Sequence, residues 1–508
     1  MAVDDIGLVL DRRGGDPLHR QIATALRERI AGGKLVPGRR LPPTREFARH
    51  LQVHRGTVQK AYEELVAAGI AHAHVGRGTF VAANPAGERT ALRPSWSPEP
   101  LFAFDAGAVE DAAWERLSRW SARAGTISFA GGVPDARLFS IQPFKKCLDA
   151  VLDEEGTALL QYGASRGYPP FVEFLCSHLR HRGLAVDADH LLVVSGSQQG
   201  LDLIARTLVA PGDTVVVENP TYSGALALFR ILGARLLSVP MDDDGLDVER
   251  LAELLARERP KLVYTIPTFH NPTGRTLSHE RRTRLVKLCR AASVALVEDD
   301  SDGELRFEGE ELPRLASLPG AEGVIYLGAF SKLFFPGLRL GWVAAQPAVA
   351  ARLEATKRVT DLHTPPLLQA ALARFAASTA GRRLAREVRL RYQARRDALL
   401  GALDETMPAG STWTRPLGGL SLTVDLGAGI DTGDLLPRAA DEGVLFAPGH
   451  LFSPCGAGRS MLRLSFGNVC EDNIKTGVSR LRRALDRELE GAGSEPAARR
   501  ALATLPPV

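Results

Sequence analysis

The sequence predicts an α/β protein with two folded parts. The first is a small N-terminal domain of helices ending in a β-hairpin, and the second is a larger domain built on a mostly parallel β-sheet with helices on both faces. Its 508 residues exceed the roughly 100–200 expected of one domain. Residues 17–81 show short helical patterns followed by two short strands. From residue 162 onward, apolar runs of strand length alternate with helical periods, which is typical of a parallel sheet covered on both faces.

The N-terminal part is predicted to be a winged helix-turn-helix. Apolar residues recur at helical spacing over residues 17–33, a second helix begins at Thr44, whose hydroxyl can cap it, and a third spans residues 55–68. Residues 71–75 and 79–81 then form two strands joined by a Gly-Arg-Gly turn. Two short helices at a tight turn, followed by such a wing, match the helix-turn-helix pattern.

Charge is concentrated in the same region. Residues 1–83 carry 13 Lys and Arg against 8 Asp and Glu, a net charge of +5, which leaves 50 against 51 in the rest of a chain whose totals are 63 and 59. The basic excess therefore lies where a nucleic-acid partner is expected. Taken alone this signal is weak, because many solvated helical faces are basic.

Composition excludes several classes of protein. The five cysteines are scattered without a close pair, which argues against a zinc site or a disulfide framework and favours reduced, mostly buried thiols; no metal site is expected. No apolar run approaches the roughly 20 residues that cross a bilayer, and the first 13 residues lack a signal-type apolar stretch. A cytoplasmic protein is the expectation.

Four segments are predicted along the chain. Residues 1–83 form the DNA-binding domain, and residues 84–110, rich in proline and without a sustained period, form a linker. Residues 111–490 form the larger domain, which changes beyond about residue 401 to a smaller α+β lobe. Residues 491–508, rich in Ala, Pro and Arg, are expected to be a disordered tail.

The strands and helices of the larger domain follow from apolar periodicity. Strands are predicted at residues 191–194, 214–218, 235–239, 262–266, 295–298, 324–327 and 342–345. Helices are predicted at residues 199–208, 223–232, 248–258 and 279–292.

A lysine follows one of these strands. Lys332 leaves a buried strand end among aromatic residues, where loss of water would lower its pKa. A lowered pKa makes an amine nucleophilic enough for a Schiff base with pyridoxal phosphate (PLP), and Arg339, seven residues on, supplies a cation for a phosphate. Standing alone, a lysine at a strand end is more often structural or solvated.

Four other strand ends carry polar or aromatic residues. The small-residue loop at 195–199 can point backbone N–H groups at an anion, although a simple capped turn is an equal alternative. Tyr222 offers a face for stacking, Asn271 can donate to a phenolate-type oxygen, and a carboxylate at 298–300 can keep a ring nitrogen protonated. Ligands of open α/β sheets sit at such strand ends, so the set of five signals predicts one site.

On these residues the chain resembles a known family. Residues from about 127 to 485 resemble a fold-type I aminotransferase, and residues 16–81 resemble a GntR-type winged helix. This order of domains is the hallmark of the MocR-type regulators of the GntR family. The winged-helix motifs that match are Pro17-Leu18, Gln21-Ile22, Leu41-Pro42, Thr44-Arg45-Glu46, Arg55, Thr57-Val58 and Gly76-Arg77-Gly78-Thr79.

The resemblance implies roles for named residues. Lys332 would hold PLP as a Schiff base, Asp299 would pair with the pyridine nitrogen, Asn271 would contact the ring hydroxyl and Tyr222 would stack on the ring. The phosphate would be bound by Gly196, Ser197, Gln198 and Arg339. Tyr162 resembles the tyrosine that reaches the phosphate across the interface of a homodimer, and Arg463 resembles the arginine that grips a substrate carboxylate.

In the winged helix, Arg45, Arg55, Thr57 and Arg77 match positions that touch DNA in relatives. The partner would be double-stranded promoter DNA. Solvated surface charge is the alternative explanation of the three arginines, but their distribution over two helices and the wing suits one DNA-binding face.

Three positions depart from the family pattern. Ser301 stands where a tyrosine usually contacts the ring hydroxyl, Ala329 stands where a Ser or Thr usually contacts the phosphate, and His54 stands where a serine commonly begins the recognition helix. The first two changes remove polar groups, each worth about 1–2 kcal/mol. PLP binding is still expected, whereas fast turnover is not.

Three functions remain open on the sequence. A PLP-dependent regulator that senses a small amine or amino acid is the first, a working aminotransferase with a DNA-binding appendage is the second, and a DNA-binding scaffold with a decayed site is the third. The effector, the operator, the target genes and the sign of regulation are not encoded in any motif.

Overall fold

The computed structural model describes residues 8, 10–12, 16–31, 35–36, 38–74, 78–82, 112–427 and 429–494. The chain divides into two compact units, Met1–Ala103 and Phe104–Val508. Arg77, the predicted linker at 84–110 and residues 495–508 of the predicted tail lie outside the described residues. The last helix continues to Ser494, four residues beyond the boundary predicted at residue 490.

The first unit is the predicted winged helix-turn-helix. Its helices are α1 (Leu18–Ala31), α2 (Thr44–His50) and α3 (Arg55–Ala67), and its wing strands are β1 (Ala71–His74) and β2 (Gly78–Val81), which pair antiparallel. The predicted apolar faces of the three helices form one core, whose fully buried members are Ile22, Leu26, Phe47, Val58, Ala61 and Leu65. Burial of these side chains is what fixes the packing of three short helices.

The N-terminal caps of α2 and α3 differ from what the sequence suggested. Thr44 does not cap α2: Pro43 occupies the cap position, and Thr44 is the first helical residue without a side-chain cap bond. His54, the residue that departs from the family's serine, does cap α3, because its Nδ1 accepts a hydrogen bond from the backbone N–H of Gly56 at 3.2 Å. An imidazole nitrogen therefore supplies the acceptor that a hydroxyl would supply at this position.

The second unit contains the remaining helices and strands. The helices are α4 (Ala112–Ser121), α5 (Ile141–Glu155), α6 (Pro169–Arg180), α7 (Ser197–Leu208), α8 (Ser223–Ile231), α9 (Val248–Glu258), α10 (His279–Ala292), α11 (Pro347–Thr360), α12 (Pro366–Ala377), α13 (Thr379–Thr406), α14 (Thr432–Asp441) and α15 (Glu471–Ser494). The strands are β3 (Ile127–Ser128), β4 (Leu191–Val194), β5 (Thr214–Asn219), β6 (Arg235–Asp242), β7 (Gly245–Leu246), β8 (Leu262–Thr265), β9 (Ala295–Asp299), β10 (Val324–Ala329), β11 (Gly341–Ala344), β12 (Thr412–Trp413), β13 (Ser421–Asp425), β14 (Val444–Leu445), β15 (Ala447–Pro448) and β16 (Met461–Ser465).

The large sheet has the predicted, mostly parallel topology. Its strand order is β4-β11-β10-β9-β8-β5-β6-β7, with β10, β9, β8, β5 and β6 parallel to one another. Strand β11 runs antiparallel to both of its neighbours. All seven strands predicted from periodicity are present, with ends that differ from the prediction by three residues or fewer.

Helices cover both faces of this sheet. Along β5, Val215 and Val217 pack into one apolar cluster while Val216 packs into another on the opposite face. Successive strand residues point to opposite faces, so a strand that is buried on both sides must be apolar throughout. In β5 the polar residues are therefore confined to the strand ends, at Thr214, Glu218 and Asn219.

The smaller lobe lies in the C-terminal part of the chain, as predicted. It contains a sheet of order β12-β13-β16-β15, and the 28-residue helix α13 precedes it.

Of the five cysteines, Cys176 and Cys289 are buried and Cys455 is exposed, so the expectation of mostly buried thiols holds only in part. Within the described residues, no helix is both long and apolar enough to cross a membrane.

Replacing Leu65 with Ala is expected to destabilise the first unit by about 2–5 kcal/mol, because the side chain is completely buried and its removal leaves a cavity. Val66→Ala is the matched control, because Val66 is the next residue of α3 and is exposed. Hydrogen exchange measured by mass spectrometry on the full chain should show lost protection in peptides from residues 18–82 for Leu65→Ala only. Equal protection in both variants would contradict the assigned core.

Candidate functional site

The site is built around Lys332, which lies in the turn after β10. Its ammonium group donates a hydrogen bond to the backbone carbonyl of Gly132, 200 residues away in sequence. Burial lowers the pKa of Lys332; the charge of Asp302 opposes that effect, and Arg463 and Arg339 add to it. The sequence prediction of a lysine with a lowered pKa at a strand end agrees with this arrangement.

Asp299 ends β9, the strand beside β10, and is held by three donors. The hydroxyl of Tyr264 donates to its Oδ2 at 2.8 Å, and the N–H and hydroxyl of Ser301 donate to its Oδ1. Burial raises the pKa of Asp299, and the hydrogen bonds from Ser301 and Tyr264 limit the rise. Ser301, which replaces the family's tyrosine, therefore orients the aspartate.

Arg463 reaches the same cavity from β16 of the small sheet. The guanidinium donates to Asn271 Oδ1 at 3.1 Å and to the carbonyl of Ala130, and it lies 4.8 Å from the ring centre of Phe452. It is almost fully buried, and its Nε has no hydrogen-bond partner among the residues that the structure describes. Burial lowers the pKa of Arg463 to about 10. A buried cation with a spare donor is a site for an anion.

The loop between β4 and α7 forms an anion cradle. Gly196 precedes α7 with φ of 85°. No side chain in the described part of the chain caps this helix, so its first N–H groups are available. Arg339 donates to the carbonyl of Ser195 at 3.3 Å and lies across Gly196, where an added Cβ would be 2.4 Å from its Nη2. Ser197 begins the helix. A helix N-terminus beside an arginine favours a phosphate.

Two further predicted residues complete the wall. The hydroxyl of Tyr222 donates to Gln198 Oε1 at 3.1 Å, and burial raises the pKa of this tyrosine. Asn271 follows β8 and faces Arg463. Each of the five polar strand ends is therefore at the same edge of the sheet, as the parallel topology requires.

Two cavities meet at Lys332. The inner one is about 110 Å³ and the outer one about 820 Å³, and Lys332, Tyr222, Asn271 and Arg463 line both. Ser197, Asp299 and Ser301 line the inner cavity. Asp302 also lines it, and burial raises the pKa of this carboxyl to about 6.

Sequence reasoning missed Asp302 and Gly132. Asp302 lies three residues after Asp299 in a run of acidic residues, and this spacing is the only signal that could have found it. Gly132 enters through a backbone carbonyl from a distant segment, for which the sequence holds no signal.

Tyr162, which the resemblance placed at the phosphate, lines neither of these two cavities. It is 78% exposed, and its ring meets that of His363 edge-on at 5.8 Å. Ala329, the second departure from the family pattern, is buried at the end of β10.

An ion pair between Lys357 and Asp361 is hydrogen-bonded to the anion cradle. Lys357, completely buried in α11, donates to both oxygens of Asp361 at 2.7 and 2.9 Å. Asp361 accepts from Gln199, whose own oxygen accepts the N–H of Ser195 at 2.6 Å. The loop that would bind an anion is therefore tied to a fixed ion pair.

The predicted DNA-binding residues lie on the helices of the first unit. Arg45 on α2 and Arg55 at the start of α3 are exposed, and Thr57 on the first turn of α3 is half-buried. Exposed cations at the start of the second helix of such a pair suit contact with the major groove. Arg77, the fourth predicted DNA-binding residue, lies outside the described residues.

Comparison with known proteins defines the class. The model for bacterial regulatory proteins of the gntR family matches residues 18–81, and the model for aminotransferase class I and II matches residues 129–481. The protein therefore combines a helix-turn-helix domain, which implies DNA binding, with an aminotransferase fold.

The relatives narrow the class. The HTH-type transcriptional regulator TauR of Rhodobacter capsulatus is 33% identical over 96% of this chain and 100% of its own length. A probable rhizopine catabolism regulatory protein of Rhizobium meliloti, MocR, is 30% identical over 96% of this chain and 98% of its own length. The chain belongs to the MocR-type regulators of the GntR family.

The larger domain also resembles enzymes. The 2-aminoadipate transaminase of Thermus thermophilus is 38% identical over 77% of this chain and 97% of its own length. The structure of a multiple substrate aminotransferase from Thermococcus profundus matches with a TM-score of 0.74 and 35% identity, covering 78% of this chain and 100% of that one. LysN from Thermus thermophilus, solved with N-(5'-phosphopyridoxyl)-L-leucine, matches with a TM-score of 0.72 and 36% identity, covering 78% and 100%.

Proposed function

We propose that this regulator binds PLP at Lys332, that a small amine or amino acid is its effector, and that occupation of the cavity alters binding to a promoter operator. One observation carries the proposal. Lys332, Asp299 and Arg463 line a single cavity in a chain whose first domain is a helix-turn-helix.

The anion cradle fits the phosphate of PLP. Gly196 leaves room for Arg339 to approach the loop, and the first turn of α7 carries N–H groups that no side chain caps. Gln198 and Ser197 lie in that turn. Backbone donors, a helix dipole and a guanidinium together favour a dianion.

The cavity wall fits the ring. Asp299 is a buried carboxylate that can accept a hydrogen bond from a protonated ring nitrogen. Asn271 offers an amide to the ring hydroxyl, and Tyr222 offers an aromatic face to the ring. When bound, PLP supplies an aldehyde for covalent attachment of an amine and a ring that withdraws electrons.

Residues of the chain prepare that attachment. Because burial lowers the pKa of Lys332, a larger fraction of its amine is neutral near pH 7 than for an exposed lysine, and the neutral form is the nucleophile. Asp302, with its pKa raised to about 6, can accept or release a proton beside Lys332. Arg463 grips a carboxylate and so favours an amino acid over a simple amine.

A working aminotransferase is the second candidate. The 38% identity to a transaminase favours it, as do the intact Lys332, Asp299 and Arg463. Ser301 and Ala329 argue for slow turnover, because each lacks a polar group that the family uses on the cofactor. A keto-acid product formed at about 1 per second or faster would support the enzyme.

The exposure of Tyr162 supports a homodimer. An aromatic residue that is 78% exposed and lies outside the cavity of its own chain is free to contact the cavity of a second copy, as the family resemblance implies. We infer that the working form is a homodimer in which the two helix-turn-helix domains read two half-sites of one operator.

Borohydride reduction tests the cofactor. The native protein incubated with PLP and then reduced should carry a pyridoxyl group on Lys332, found by mass spectrometry of the digest. Lys332→Ala should carry none, and Lys287→Ala, which removes an exposed lysine of α10, should keep it. An unmodified Lys332 in the native protein would refute the proposal.

Replacing Gly196 with Ala is expected to weaken PLP binding at least tenfold, because the new Cβ would lie 2.4 Å from Arg339 Nη2. Gly212→Ala is the control for backbone strain: its φ of 88° matches the 85° of Gly196, and an added Cβ there meets nothing within 4 Å. PLP affinity is measured by absorbance titration. Equal PLP affinities of the two variants would show that Gly196 is not part of the phosphate-binding site.

Replacing Arg55 with Ala is expected to weaken binding to the upstream DNA of the gene by about 1–3 kcal/mol and to relax sequence preference. Arg27→Ala removes an equally exposed cation from α1 and serves as the control. Gel-shift titrations compare the upstream fragment with random DNA. If native protein and the Arg55 variant bind both DNAs equally, Arg55 does not read the operator.

A further inference from the structure

A second large cavity lies on the far side of the Lys332 turn. It measures about 820 Å³, and residues of α6, of the segment at 304–311, of the turn at 330–334, of α12 and of α13 line it. None of the PLP-site residues named above lines it. Two of its residues, Phe330 and Leu333, flank Lys332 in sequence.

The floor of this cavity is aromatic and apolar. Phe330, Leu333 and Phe334 are largely buried there. The ring of Phe174 lies tilted against Phe330 at 6.1 Å between ring centres, and the ring of His178 meets it edge-on at 5.4 Å. A planar apolar body can pack against such a surface.

The wall holds one carboxylate that is already satisfied. Glu304 accepts from His178 at 2.9 Å, from Arg182 at 2.5 Å and from Arg389 at 3.4 Å. Burial alone would raise the pKa of Glu304, but the hydrogen bond from His178 and the charges of the two arginines outweigh it and lower the pKa to about 2. The remaining carboxylate, Glu311, lies 3.6 Å from Arg182 and 2.9 Å from Arg314.

The rim of this cavity carries more arginines than carboxylates. Four arginines line the cavity (Arg182, Arg382, Arg386 and Arg389) against two carboxylates. Arg382 donates only to the carbonyl of Ala377 and to Thr379 Oγ1 among the described residues. Arg386, one helical turn further along α13, makes no hydrogen bond or ion pair with any described residue. Two like charges at i and i+4 on one helix face repel each other, and an anion between them would relieve that repulsion.

We propose that this cavity is a second ligand site, which takes a small carboxylate with a planar apolar body. The carboxylate would lie between Arg382 and Arg386, and the body would rest on Phe330 and Phe334. A ligand there would contact Phe330, two residues before Lys332, and the segment that holds Glu304, two residues after Asp302.

Phenylacetate is the test probe, and phenylacetamide is its neutral counterpart of the same shape. Calorimetric titration of the full-length native protein should show phenylacetate binding at least tenfold more tightly than phenylacetamide. The double variant Arg382→Ala/Arg386→Ala should lose at least tenfold in affinity for phenylacetate. Both side chains are exposed, so the variant is expected to fold.

Two control variants locate the binding. Arg383→Ala removes an exposed cation of the same helix that faces Glu387 instead of the cavity, and it should bind phenylacetate as the native protein does. Arg463→Gln removes the cation of the PLP cavity and should also retain this binding. No binding at millimolar phenylacetate, an unchanged affinity in the double variant, or loss of all binding in Arg463→Gln would each overturn the proposal.

Discussion

Burial of opposite charges at one edge of the large sheet is the interaction on which the rest of the site depends. Asp299 and Lys332 come from neighbouring parallel strands, and Arg463 is added from the small sheet. Burial disfavours the charge on each of them, since it raises the pKa of Asp299 and lowers those of Lys332 and Arg463. Their proximity in one cavity offsets part of that cost, because opposite charges interact strongly away from water.

Hydrogen bonds from buried polar side chains of the large sheet fix the loops that carry the site residues. Glu218, buried in β5, accepts the hydroxyl of Thr265 at 2.6 Å and the N–H of Ile266 at 2.9 Å, and it lies 3.2 Å from His270. His270 directly precedes Asn271. A hydrogen bond to a charged group is worth about 1.5–3 kcal/mol, so these bonds fix the strand end and the loop after it. Orientation of the site is thus a property of the sheet as much as of the site residues.

Sequence reasoning found the sheet and most of the cavity for one physical reason. Strands buried on both faces must be apolar throughout, so runs such as residues 214–218 stand out, and the polar residues that follow them must meet at one edge. Gly132 was missed because a backbone carbonyl carries no sequence signal. Asp302 was missed because its spacing of three residues from Asp299 does not by itself separate it from the other acidic residues of the same run. Thr44 was assigned a capping role because threonine is a common N-cap residue, but α2 begins one residue too early for it: Pro43 occupies the cap position and Thr44 is the first helical residue.

The small and large sheets meet in the hydrogen bond from Arg463 to Asn271 at 3.1 Å. Arg463 lies on β16 of the small sheet, whereas Asn271 follows β8 of the large one, so this bond spans the two lobes. A carboxylate that binds Arg463 competes with Asn271 and with the carbonyl of Ala130 for the guanidinium. Ligands shift a conformational equilibrium only through contacts that differ between its states. Exchange of this bond for a ligand bond is such a difference, so under the proposed function the arginine that would bind the carboxylate of an amino acid is also the residue through which that ligand would change lobe closure.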